Sequence, residues 1–481
     1  MQGERRKRKG EPPKAMSQKY LIETFGCQMN QHDSERMAGL LEQAGYDRTD
    51  SDHDADVIVI NTCSVREKAE EKLYTRLGEI RMMGDDTGSR PVVAVAGCVA
   101  QQEGEKLLGK TNGQVIDVLI GTQSLKRLPM LVDEARTSAI AANRTHAGAI
   151  APSGIGWRTP SPRIDLNPYD DVSFPLGVAR REDAHKAYVT IIEGCNEFCA
   201  FCVVPYTRGK ERMRRAADIV AEVRRAADTG AREVQLLGQI VNHYLAPDDS
   251  GCDFAELLSR VNEVAGIERI RFASPHPRHV TTRMMHAMRD LSKVVRHLHL
   301  PVQSGSTAVL ERMRRRHTRE DYLALLARLR ETIPDIALST DMIVGFPGET
   351  EMDFADTLSL TQAARYHSMY SFKYSPRPNT LALKRMPDDV PESEKTRRIM
   401  ALQALQGAIQ GELFAASIGC VEPVLIDARS RRRDWELSGR TPANTVVNLP
   451  GDPAWVGTIV PVRITGANPN SLRGEALQPR V

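Results

Sequence analysis

No run of eighteen consecutive apolar residues occurs in the chain, so no segment suits a membrane-spanning helix. A secretory leader is not expected either, because the first ten residues, MQGERRKRKG, are charged where a leader would be apolar. A cytoplasmic location without membrane attachment is the expectation. Charge of one sign is also lacking in bulk: 65 Lys and Arg stand against 62 Asp and Glu, a net charge of +3. The excess is local. Residues 1–14 hold six basic and two acidic side chains, which leaves the remainder close to neutral. Residues 1–16 therefore read as a disordered basic tail, solvated or in weak contact with nucleic acid. The chain has 481 residues, 41% of them hydrophobic and 26% charged. That is an ordinary soluble composition, spread over two to four domains.

Cysteine is scarce, with eight in the chain: Cys27, Cys63, Cys98, Cys195, Cys199, Cys202, Cys252 and Cys420. In a reducing compartment these are metal ligands or plain thiols rather than disulfides. Three fall within GCNEFCAFC (194–202) in the pattern CxxxCxxC, with no fourth Cys or His close downstream. A structural zinc site wants four ligands, often two CxxC pairs. Three thiolates instead hold three irons of a four-iron cluster and leave the fourth open to a ligand. Zinc and incidental thiols are the weaker readings.

Three further runs, KYLIETFGC (19–27), VIVINTC (57–63) and VVAVAGC (92–98), each end in a cysteine, 36 and 35 residues apart. That is the length of a strand–helix unit. Parallel strands present their C-terminal ends at one edge, where ligands bind, so Cys27, Cys63 and Cys98 are expected to converge. Three buried structural cysteines are the alternative. From residue 187, six apolar runs alternate with amphipathic helices: AYVTII, EVQLLG, RIRFAS, HLHLPV, ALSTDMIVG and MYSFKYS. They predict a full or partial parallel barrel, with its chemistry at the C-terminal strand ends. Beyond about residue 412 come short strands with Gly, Pro and Asn turns, a small all-β barrel of OB-like size. The fold class is α/β. The expected divisions are a tail (1–16), an N-terminal parallel α/β domain (17–138), a linker rich in Ala, Gly, Pro and Ser (139–180), a barrel core (181–411) and the β-barrel (412–481).

CxxxCxxC after the first strand of such a barrel resembles the radical S-adenosylmethionine (SAM) superfamily. The resemblance narrows with FGCQMNQHDSE (25–35), NTCSVREKAEEKL (61–73), AGCVAQ (96–101), GCNEFCAFCVVPYTRGKE (194–211), HLPVQSGS (299–306), STDMIVGFPGET (339–350) and YSPRPNT (374–380). Together these resemble the MiaB-type tRNA methylthiotransferases. The resemblance implies a partial (β/α)6 radical-SAM barrel and a TRAM-like RNA-binding domain. It implies two [4Fe–4S] clusters, one on Cys195, Cys199 and Cys202 and one on Cys27, Cys63 and Cys98. SAM would serve as substrate and radical source, near Phe201 and the glycine turn of Gly345 and Gly348. It implies addition of a methylthio group to C2 of N6-(dimethylallyl)adenosine at tRNA position 37. The partners would be the tRNA anticodon loop, a reductant such as flavodoxin or ferredoxin, and an unassigned sulfur donor, with the chain a monomer. Rival readings are methylthiolation of a ribosomal-protein aspartate, methylthiolation of threonylcarbamoyladenosine in tRNA, and a non-catalytic iron–sulfur or zinc RNA-binding protein.

Other residues are open to two readings. His299, Gln303 and Ser304 line a pocket or pack behind it. Glu349 reads as structural, as do Cys252 and Cys420. TRGKERMRR (207–215), RMRRRHTR (312–319) and Arg431–Arg432–Arg433 are solvated faces or phosphate contacts. The family commonly carries Gly-Gln-Asn-Val-Asn after the second barrel strand. Here the stretch is GQIVNHY (238–244), with Ile240 in place of the first Asn, a departure that touches substrate preference.

Overall fold

The computed structural model describes residues 17–64, 67–87, 90–110, 115–146, 161–167, 177–430, 433 and 435–477. The expected basic tail, residues 1–16, lies outside them. The N-terminal domain is built on a wholly parallel six-stranded sheet. Gln18–Phe25, Val57–Thr62, Val92–Gly97 and Val118–Ile120 lie side by side in that order, with Tyr46–Arg48 and Arg163–Asp165 at the two edges. VIVINT and VVAVAG are buried at every position. Helices cover both faces of the sheet, so its central strands read as unbroken apolar runs. Gln28–Gln43 and Leu128–His146 pack on one face, and Glu67–Thr87 with Cys98–Glu103 on the other.

The register carries the functional consequence. Phe25 pairs with Thr62 and Thr62 with Gly97. Three adjacent strands therefore end at one level, and the cysteines follow within two residues of that row.

The stretch expected as a linker is divided differently. The helix Leu128–His146 runs past residue 138. Arg163–Asp165 adds a sixth strand, tied in by the Arg163 amide to the Asp117 carbonyl (2.8 Å) and by Ser124 and Arg127 to the Asp165 carboxylate (both 2.8 Å). A three-residue strand is too short to show a period of two.

The central domain has the six expected strands in two parallel halves. Lys186–Thr190, Glu233–Leu237 and Arg269–Phe272 form one, and His297–His299, Ala337–Val344 and Ser368–Lys373 the other. A single Ile270–Val294 bridge ties the first half to the segment just ahead of His297–His299. Among the described residues no ladder joins the first strand to the last, so the barrel is open along a seam. Val234, Leu236, Ile270, Phe272, Leu338 and Met342 pack outward under the helices. Their alternates, such as Tyr188, Glu233, Arg271 and His299, face inward.

The C-terminal domain is a closed five-stranded barrel in the ring order Val421–Arg429, Glu436–Arg440, Val446–Pro450, Ser471–Ala476, Ile459–Asn468. It docks at the N-terminal end of the large barrel. Arg269 donates to the carbonyls of Pro423 (2.7 Å) and Arg440 (3.0 Å), and Arg271 to those of Thr441 (2.6 Å) and Pro442 (2.9 Å). Glu233 lies 2.9 Å from Arg271 and 3.6 Å from Arg269, so these buried cations are paired.

Candidate active site

Cys27, Cys63 and Cys98 stand together at the carboxyl edge of the N-terminal sheet. The Cys63 amide bonds the Phe25 carbonyl (2.9 Å), and Cys27 Sγ reaches Asn30 Oδ1 (3.3 Å). Two buried asparagines floor the group. Asn30 Nδ2 donates to Asn61 Oδ1 (3.0 Å), and Asn61 Nδ2 donates to the Asn30 carbonyl (2.8 Å). Gly97 has φ +93°, and a Cβ there would lie 2.3 Å from Asn61 Oδ1, so only glycine lets the strand end this close to the floor. A hydrogen bond with Cys63 draws the Cys27 thiol well below its usual range, against the opposing effect of burial; the charge of Arg208 also lowers it. Burial pushes Cys98 up, with Arg208 opposing. A cavity of about 550 Å³ adjoins Cys27, lined also by Glu35, His185, Tyr188 and, from the small barrel, Asp427.

The second triad sits on the loop that leaves the first barrel strand. Cys195 is buried, and Cys199 and Cys202 are half-buried. The loop is pinned by the Cys195 amide to Gly209 (3.2 Å), the Ala200 amide to Met313 (2.9 Å) and the Ala382 amide to the Ala200 carbonyl (2.8 Å). Arg315 donates to Cys199 Sγ (3.6 Å) and to the Pro301 carbonyl (2.7 Å). Burial pushes Cys195 up to about 11, and Cys202 upward as well, with the other thiols adding to it. Such thiols become ligands by losing protons to a metal.

The surroundings fit an iron–sulfur cluster with an exchangeable ligand. Among the described residues no three His, Cys, Asp or Glu are placed to hold one metal ion. A mononuclear zinc site needs every donor about 2.3 Å from one point, whereas a four-iron cube offers each thiolate its own iron. Arg315 Nε, His276 Nε2 and His317 Nε2 are buried there without a protein partner, and such atoms ordinarily have one in a ligand or water.

Several side chains were not singled out from the sequence. Arg208, directly after the short helix Val204–Thr207, reaches into the N-terminal domain and pairs with Asp33 at 2.6 Å; both are buried. It also faces Cys27 and Cys98, so a residue six positions after Cys202 lies beside the first triad. Glu197, between Cys195 and Cys199, takes His279 Nε2 at 3.0 Å, and His279 stacks on His243 at 4.3 Å. Within the two basic runs, read as solvated faces or phosphate contacts, most arginines have partners inside the protein. Arg208, Arg214 and Arg215 pair with Asp33, Glu222 and Asp248. Arg312 pairs with Asp353 and Arg316 with Glu197, and Arg319 donates to the carbonyls of Gly305 and Asp356. Arg431 and Arg432 lie outside the described residues.

Phe201 packs edge-on to Phe346 (6.5 Å), which packs on Tyr374 (5.1 Å). Gly345 and Gly348 both have positive φ, +70° and +76°. Their amides are already engaged, by Glu349 and by Asp389 (2.7 Å), so the turn offers shape rather than free donors. Glu349 is structural in this sense: it caps the Gly345 and Phe346 amides beside Arg398. Gln303 and Ser304 are buried, with the Gln303 amide on Asp341 (3.0 Å), while His299 faces the barrel interior. Of the two cysteines read as structural, Cys252 is fully buried and Cys420 is exposed. Ile240 is buried, and Asn242 closes a two-way bond with His276 (2.8 and 3.0 Å).

A three-cysteine loop at the mouth of an open parallel barrel defines a class, and residues 189–361 match the radical SAM superfamily. Residues 19–121 match Uncharacterized protein family UPF0004, and residues 416–477 match the TRAM domain. The chain is 43% identical over 465 residues to the tRNA-2-methylthio-N(6)-dimethylallyladenosine synthase of Alkalilimnicola ehrlichii, covering 96% of this chain and 98% of that one. It is 42% identical to the synthase of that name from Acetivibrio thermocellus (95% and 91% covered) and 40% identical to that from Aquifex aeolicus (96% and 99%). The chain belongs to this family of radical SAM methylthiotransferases. Its fold is similar to that of the radical SAM methyltransferase TsrM from Kitasatospora setae, solved with cobalamin and a [4Fe–4S] cluster (TM-score 0.52, 15% identity, 76% and 77% covered).

Proposed function

We propose that the protein adds a methylthio group to C2 of N6-(dimethylallyl)adenosine at tRNA position 37, beside the anticodon, consuming SAM as methyl donor and as radical source. The observation that carries this reading is the convergence of Cys27, Cys63 and Cys98 on one sheet edge, beside Arg208 from the segment that follows the CxxxCxxC loop. When bound, a [4Fe–4S] cluster on Cys195, Cys199 and Cys202 supplies the electron that opens SAM to a radical, and a second cluster on Cys27, Cys63 and Cys98 supplies a thiophilic site for sulfur. The chain's own residues then do four things. Arg315 holds Cys199 in place through a bond to its sulfur. Phe201, Gly345 and Gly348 shape the seat of the adenosyl group. Arg208 ties the segment after the cysteine loop to the N-terminal domain through Asp33. The TRAM barrel holds RNA while the target base leaves the loop stack to reach the mouth. A small reductant such as flavodoxin or ferredoxin delivers electrons to a monomeric chain. Among the described residues no helix is long and apolar enough to cross a membrane.

The test is nucleoside mass spectrometry of tRNA from a strain lacking the gene. Loss of the methylthio nucleoside with accumulation of its dimethylallyl precursor supports the reading; an unchanged profile sinks it. The threonylcarbamoyl variant is read in the same samples, and the ribosomal aspartate in peptide mass spectra of ribosomal proteins from the same strain. Anaerobic iron analysis addresses the second cluster: about four irons per chain should remain after Cys195, Cys199 and Cys202 are all changed to Ala, and about eight before.

A further inference from the structure

The barrel seam leaves two large aromatic side chains uncovered on its last strand. Tyr370 and Phe372 are 57% and 41% exposed. Their alternates point outward: Ser371 bonds Gln403 (3.0 Å), and Lys373 bonds Glu392 and Thr396 of the helix Glu392–Ala416. By alternation Tyr370 and Phe372 face the interior. They pair with Asp341 and Ile343 on the neighbouring strand. The His299 ring lies edge-on to Tyr370 at 6.0 Å, and His299 Nε2 is 3.3 Å from Asp341. Tyr374, one step beyond Phe372 on this line, packs through Phe346 to Phe201 in the cysteine loop. At strand spacing, Phe372 and Tyr370 are about 7 and 13 Å along from Tyr374. The N-terminal domain reaches both lips of the seam, through His32 to Thr190 (2.8 Å) and Glu70 to Arg377 (3.8 Å). Apolar surface left open inside such a cleft marks a ligand face.

We propose that Tyr370 and Phe372 form the face on which the dimethylallyl group of the substrate adenosine packs, making them determinants of selectivity for alkylated over plain adenosine. This rests on the tRNA-methylthiolation reading. A branched five-carbon group matches two adjacent aromatic faces, and even one methylene in an apolar pocket changes selectivity about tenfold or more.

The test measures dissociation constants, by fluorescence anisotropy, for two anticodon stem-loop RNAs that differ only in dimethylallyladenosine or adenosine at position 37. The iron-loaded wild type, Tyr370→Ala, Phe372→Ala and the milder Phe372→Leu are compared, with iron content and melting temperature as folding controls. The wild type is expected to prefer the alkylated RNA by about tenfold or more, the alanine variants to lose that preference, and Phe372→Leu to keep part of it. Retention of full preference in the alanine variants overturns the assignment. So does a variant whose 5′-deoxyadenosine release without RNA falls in step with its RNA affinity, because the aromatics would then face SAM. A wild type that methylthiolates the alkylated RNA yet binds both RNAs equally also overturns it. A wild type that does not methylthiolate that RNA removes the underlying reading instead.

Discussion

Two buried ionic groups decide how single residues behave. Arg208 and Asp33 face each other at 2.6 Å across the domain boundary, almost without solvent contact. Removing Arg208 leaves Asp33 only the more distant Arg36, at 3.8 Å, and breaking a buried pair typically costs about 3–5 kcal/mol. Arg208→Met is therefore expected to lower unfolding free energy by that order in urea titration, and Arg208→Met/Asp33→Asn to recover a large part of it. His32 behaves in the opposite sense to a surface histidine. Burial, then the Arg36 charge, pulls it from 6.5 down to about 4, although Glu222 at 3.5 Å pulls upward; Arg214 and Thr190 complete its surroundings. A depressed histidine binds its proton in the unfolded chain first. Its contribution is fully present above pH 6.5 and is lost as pH falls toward 4. Melting temperature of the metal-free protein should drop over that window, and the drop should be shallower in His32→Gln.

At the scale of elements, the cysteine loop was legible from sequence because its three cysteines sit within eight residues. The dispersed triad was legible only through a rule about parallel strands. What made it converge is a register, Phe25 to Thr62 to Gly97, that no local pattern states. Asn30 and Asn61 stand beside Cys27 and Cys63 in the quoted motifs, yet their mutual bonding needed the fold. Arg208 and Arg315 were hidden for a physical reason: inside a basic run, a buried arginine and a solvated one look alike. The short strand Arg163–Asp165 was hidden by its length. The strand end at Gly97 can be tested directly. Gly97→Ala demands a positive φ from a residue with a Cβ and pushes that Cβ into Asn61. In a background where Cys195, Cys199 and Cys202 are Ala, this change should reduce bound iron from about four per chain toward zero, with only modest loss of helix signal by circular dichroism. Full iron retention would show that the asparagine floor does not set the triad.

At the scale of the molecule, the three domains meet around one seam. The small barrel is fixed at the N-terminal end of the large one, whereas the cysteine loop lies at the other end. RNA held by the small barrel must therefore run along the open side, where the cavity beside Cys27 is lined from all three domains. The rigidity of that arrangement depends on Glu233. It alone offers a carboxylate to both Arg269 and Arg271 among their ion pairs in the described residues. Burial and the neighbouring Arg271 already pull Arg269 down to about 10, so the pair is poorly solvated. Glu233→Gln keeps the shape and removes the charge, leaving two buried cations facing backbone carbonyls, a penalty of about 3 kcal/mol or more. The expected result is a small barrel that undocks while both domains stay folded. Limited proteolysis should then cut near the exposed turn at Ile418 and Cys420, and tRNA affinity should fall while 5′-deoxyadenosine release without RNA persists. Were tRNA affinity unchanged in a protein that is cut there, the docked geometry of the small barrel would play no part in holding the substrate.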